Sequence, residues 1–138
     1  YPSVASAREL GQSYFDQFIR LEDQEAALQS EEDLDALLTL YPRMLALAEK
    51  ATTYIELHDW QSENLAYSHL NFAVALSRKL PQLSDTETTR KVLQQMEQQL
   101  QKAQALLQNL PTSAYVEHGL DTCEEYLSFT QQKLKRAK

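Results

Sequence analysis

Val4, Ala7, Gly11, Tyr14, Phe18 and Leu21 recur at spacings of three and four, with Phe15 and Ile19 beside them. That period predicts an amphipathic helix from about Ser3 to Leu28. Gly11 in its middle costs about 1 kcal/mol relative to Ala, and close approach of a second helix is the compensation expected there. A second helix opens at "SEEDLDALLTLY". Ser30 is the cap, and Glu31, Glu32 and Asp33 occupy the first turn, where the helix dipole favours negative charge. Leu34, Leu38, Tyr41, Leu45, Ala48, Thr52 and Ile55 form one stripe, and Leu37, Leu40, Met44, Leu47, Ala51 and Tyr54 form another. So wide an apolar face belongs to a helix with more than one neighbour. Pro42 lies inside it, removes a backbone donor and crowds the preceding turn. A kink or a full break is expected there.

Leu65, His69, Phe72, Leu76 and Leu80 mark a third helix over Trp60 to Leu80, ended by "KLPQLSD". Ser84 and Glu87 then have the capping-box spacing of a fourth. Its stripe is Leu93, Met96, Leu100, Ala103, Leu107 and Leu110, and Gln94, Gln95, Gln98, Gln99, Gln101, Gln104 and Gln108 are assigned to the outside. After "NLPTS", a last helix carries Val116, Leu120, Cys123, Leu127, Thr130 and Leu134. This stripe continues through Gly119, so one helix is expected rather than two. Lys133, Lys135, Arg136 and Lys138 suit the negative end of its dipole. Short connections make successive helices antiparallel neighbours. The expected fold is all-α, a single-domain antiparallel bundle of about five helices over residues 1–138.

Composition agrees. The chain has 2 Gly and 4 Pro, too few for the tight turns of a hairpin-rich sheet. Trp60 and Tyr67 have the spacing of a tetratricopeptide signature. However, Glu63 and Asn64 stand at its Leu and Gly positions, and no second copy follows at about 34 residues.

Charge narrows the function. A net charge of −7 disfavours nucleic acid, whose phosphates are neutralised by Lys and Arg. No run of about 18 apolar residues is present, so no membrane span is expected. One cysteine, Cys123, forms no internal disulfide and fits a reducing, cytoplasmic setting. The chain opens at Tyr1 rather than Met, as a trimmed product or an exported protein with its signal removed would.

The chemistry-bearing side chains do not converge. "YIELHDWQSENLAYSHLNF" (54–72) holds two of the 3 histidines and the single Trp. On one continuous helix His58 and His69 would lie about 16 Å apart, too far to share an ion. If the chain turns near Asp59, a helix cap, they approach, but no third ligand accompanies them. His69 has apolar helical neighbours and reads as a structural histidine. Neither His69 nor His118 is followed by the lysine and glycine expected beside a phosphorelay histidine. Glu117, Asp121 and Glu124 share a helical face near His118 and read as a solvated surface. Cys123 lies on the apolar stripe and reads as an inert core thiol. No phosphate loop, nucleophile elbow or zinc-protease motif is present. No enzyme activity, cofactor or metal is therefore expected.

The remaining lead is electrostatic. Residues 1–75 carry 4 basic and 13 acidic side chains, whereas residues 76–138 carry 9 and 7. The acids concentrate at the first-to-second-helix corner, in Glu22, Asp23, Glu25, Glu31, Glu32, Asp33 and Asp35, with no Lys or Arg between Arg20 and Arg43. The first-turn acids are explained by the dipole, whereas Glu22, Asp23 and Glu25 lie near a helix C-terminus, where negative charge is unfavourable. The expected function is a non-enzymatic protein-interaction module, an adaptor, inhibitor or immunity-type protein, whose acidic corner meets a basic protein partner. Self-association through helix faces is a further option. The alternative is a carrier of a small apolar or aromatic ligand, with Tyr and Phe side chains lining a pocket between the helices.

Overall fold

A computed structural model describes residues 4–136. The expected helix start at Ser3 and the terminal Lys138 lie outside the described residues. The protein is all-α, with five long helices and no strand among the described residues. They are α1 (Val4–Ala27), α2 (Leu34–Tyr54), α3 (Asp59–Lys79), α4 (Thr86–Gln108) and α5 (Ala114–Arg136). Glu31–Asp33 and Leu80–Gln82 form short 3-10 turns ahead of α2 and after α3. None of the helices is long and apolar enough to cross a membrane. The chain divides into two compact units, with the boundary inside α3 between Gln61 and Ser62.

In the first unit α1 and α2 pair as an antiparallel hairpin. The start of α1 meets the end of α2 at Gly11. A Cβ there would come 2.7 Å from Ile55 Cγ2 and 3.0 Å from Tyr54 Cβ. The close approach expected of this glycine is therefore present, and it explains why a residue with low helix propensity is tolerated. The buried line of α1 is Gly11, Phe15, Phe18 and Leu21.

Helix α2 passes through Pro42 without a break, so that part of the expectation is corrected. The proline is exposed and lies between the buried Tyr41 and Met44. Burial of Leu37, Leu40, Tyr41, Met44, Ala48 and Ala51 at about 1.5–3 kcal/mol for each large side chain outweighs the ~3 kcal/mol of an interior proline. The helix stops at Tyr54, so the stripe does not extend to Ile55, whose backbone is extended at φ −134° and ψ 152°. Thr52, Thr53 and Ile55 are β-branched and lower helix propensity there. The hydroxyls of Thr52 and Thr53 both donate to the Glu49 carbonyl.

In the second unit Ala66, Leu70 and Ala73 of α3 pack with Leu100, Ala103 and Leu107 of α4 and with Val116 and Cys123 of α5. Helix α5 is continuous through Gly119. A Cβ there would come 2.8 Å from Leu107 Cδ1 and 2.9 Å from the Tyr67 hydroxyl. Tyr67 donates to the Tyr115 carbonyl at 2.6 Å and stacks on the Tyr115 ring at 4.2 Å.

Two details of the fourth helix differ from the sequence reading. Its cap is Asp85, not Ser84: the Asp85 carboxylate accepts from the Thr88 N–H at 2.9 Å and the Thr88 hydroxyl at 2.6 Å. These bonds hold the Asp85 carboxyl below its usual range, and an anion at this end is favoured by the dipole. Gln99 is not outside but buried. It lies three residues after Met96 and four before Ala103, on the inner face.

Candidate functional site

The seven acids expected to form one surface divide into two groups. Glu22 and Glu25 lie three residues apart on α1 and are half-buried. The Tyr41 hydroxyl of α2 donates to a carboxylate oxygen of Glu25. Glu22 Oε1 is shut off from solvent with no hydrogen-bond partner. Desolvation, reinforced by the nearby charges of Glu25 and Asp23, pushes the Glu22 carboxyl up to about 7. Burial penalises the charged form of a carboxyl, and like charges add to that penalty.

Asp33 also faces inward, toward the turn. Its carboxylate accepts from the Ser30 N–H at 3.2 Å and the Ser30 hydroxyl at 2.9 Å, closing the 3-10 turn that leads into α2. Asp23, Glu31, Glu32 and Asp35 remain exposed. The trio that dipole arguments left unexplained is thus itself split: Glu22 and Glu25 are partly internal, and Asp23 is presented to solvent.

The other candidates are dispersed. His58 is exposed and precedes α3, which starts at Asp59, so Asp59 is the first helical residue rather than the cap. The Gln61 side-chain oxygen accepts from the His58 N–H at 2.8 Å, the reciprocal half of a capping box. His69 is buried, with Nδ1 2.6 Å from Gln99 Oε1. An amide oxygen only accepts, so with this pairing Nδ1 carries the proton. Desolvation lowers the His69 pKa, the Gln99 bond opposes it, and Lys102 assists it. His118, Glu117, Asp121, Glu124 and Glu125 are all exposed. Cys123 is buried, and burial pushes its thiol up to about 11, so little thiolate forms near neutrality. Among the described residues no three His, Cys, Asp or Glu side chains gather as a metal site.

Tyr126 and Phe129 line a small open pocket of about 230 Å³ with Ser77 and Glu125. Phe15, Phe18, Tyr41 and Phe72 are packed in the interior. A half-open groove of about 680 Å³ lies in the first unit, where the start of α1 meets the α2–α3 connection. Tyr54 is its one aromatic side chain; Val4, Ala7 and Ile55 are apolar, and Arg8, Gln12, Glu56, His58 and Gln61 are polar or charged. Sequence reasoning missed this groove. A Gln three residues after a helix cap was a legible signal for Gln61, but nothing in the periodicity brings Arg8 to Glu56.

No protein-family model matches the chain, and neither a curated protein nor a solved structure matches it.

Proposed function

We propose that the protein is a non-catalytic helical interaction module that docks a basic protein partner at the corner between α1 and α2. The observation carrying this reading is the set of four exposed acids, Asp23, Glu31, Glu32 and Asp35, on both sides of one short connection. No Lys or Arg intervenes between Arg20 and Arg43. Screening acts over about 8 Å at physiological ionic strength, so charges this close in sequence reinforce one another. Such a patch accelerates encounter with a positive surface and disfavours acidic competitors. The dipole of α2 accounts for part of the charge at Glu31, Glu32 and Asp35 but not for Asp23.

The test is parallel affinity capture from the native organism with the wild-type chain and a variant carrying Asp23→Asn, Glu31→Gln, Glu32→Gln and Asp35→Asn. The reading expects a basic protein held by the wild type at low salt, released at moderate salt and not held by the variant. The same proteins held equally by both chains would refute it.

A further inference from the structure

We infer that the groove beside the α2–α3 connection is a binding site for a free α-amino acid with an apolar or aromatic side chain. Gln61 is only 1% exposed. Its amide orientation is set chemically, because the His58 backbone N–H can only donate and so must face the amide oxygen, 2.8 Å away. That leaves the Nε2 amine, with two N–H donors, on the other side. Nε2 donates to no group among the described residues, and it is not sealed from solvent. Gln61 lines the groove, and its two amine donors have no acceptor among the described residues. An acceptor such as a carboxylate satisfies them.

The charged lining completes the requirement. Arg8 and Glu56 line the same groove, and no ion pair joins them. A ligand with only a carboxylate would meet the Glu56 charge. A ligand with only an ammonium would meet Arg8 and leave the Gln61 donors unused. A zwitterion answers both, with its carboxylate toward Arg8 and Gln61 and its ammonium toward Glu56. Ile55, Val4 and the Tyr54 ring offer an apolar wall for its side chain. The groove, at about 680 Å³, lies within the roughly 300–1,000 Å³ range of small-molecule sites. This inference is independent of the acidic corner, with which the groove lining shares no residue.

The test is a 1H–15N NMR titration of the full chain with L-phenylalanine and L-leucine, following the Gln61 side-chain amine and the backbone amides of residues 54–58. The comparison compounds are 3-phenylpropionate, which lacks the ammonium, and 2-phenylethylamine, which lacks the carboxylate. At least one of the two amino acids should give saturable shifts at millimolar concentration. Each comparison compound should bind at least tenfold more weakly. Arg8→Gln and Glu56→Gln, both at exposed positions, should each weaken the amino acid at least fivefold with the melting temperature unchanged. Arg8→Gln should leave 2-phenylethylamine unaffected or improve it, and Glu56→Gln should do the same for 3-phenylpropionate. No saturable shift with either amino acid up to 20 mM would overturn the assignment. So would comparison compounds that bind as well as the amino acids, or variants that bind like the wild type.

Discussion

Replacing Glu22 by Gln should stabilise the protein at pH 8 and leave its stability unchanged near pH 4. In the fold the Glu22 carboxyl is held up at about 7 rather than its ordinary 4.5. As pH rises from 4.5, the unfolded chain releases this proton first and the folded chain retains it. Stability is therefore lost progressively between pH 4.5 and about 7 and is level above. The difference between the two values corresponds to about 3.4 kcal/mol at 1.36 kcal/mol per pH unit. Glu22 is only half-buried, so solvent screening reduces this to about 1–2 kcal/mol. Gln is nearly isosteric with the protonated acid and does not titrate, so the variant should gain that amount at pH 8. With an unfolding entropy of about 2.1 cal/mol/K per residue, the gain is about 3–7 °C in melting temperature. The assay is urea unfolding of both chains at pH 4, 5, 6, 7 and 8. The two stability curves should coincide at pH 4 and separate steadily to pH 7. Parallel curves across the range would refute the claim that burial and the neighbouring acids disfavour the Glu22 charge.

Three further substitutions test the packing. Pro42→Ala restores a helix donor in the unbroken α2, and should raise stability by about 1–3 kcal/mol in chemical denaturation. Gly11→Ala should lower it by about 1 kcal/mol or more, because the new Cβ would lie 2.7 Å from Ile55 Cγ2, and overpacking outweighs the gain in helix propensity. His69→Gln should cost most at pH 7.5, and its deficit should narrow toward pH 5. Burial disfavours the charged form of His69 in the fold, while the unfolded chain takes up a proton below about 6.5, so the wild type loses part of this contribution as pH falls.

The helices were legible because burial and period coincide. Leu93, Met96, Leu100, Ala103 and Leu107 were read as one inner face and are all buried. Gly11 inside a helix signals a close approach by itself, and Ile55 and Tyr54 supply it. What failed were the choices in which one local rule competes with another. Ser84 and Asp85 are both good caps, and which one acts depends on where the first turn of α4 closes. Pro42 ends a helix by local rules, but the buried residues on either side carry the helix through it. Gln99 reads as surface by residue type and interior by spacing, and the buried imidazole of His69 decides for the interior. The acidic corner was legible as a cluster, but its division was not. Which acids face inward depends on Tyr41 reaching Glu25 from another helix and on burial of Glu22, neither of which is a local property. The groove was the least legible, because it joins the first turns of α1 to residues about fifty positions away.

The central claim is that Asp23, Glu31, Glu32 and Asp35 steer a basic partner to the corner between α1 and α2. The most direct measurement is the association rate constant with the purified captured partner, taken between about 20 and 300 mM salt for the wild type and for the variant lacking the four charges. Electrostatic steering acts on encounter more than on dissociation. The wild-type rate constant should fall about tenfold or more over that range. The variant should start near the wild type's high-salt value, change little with salt and keep a similar dissociation rate. Equal association rates for the two chains, with the same salt dependence, would contradict the account.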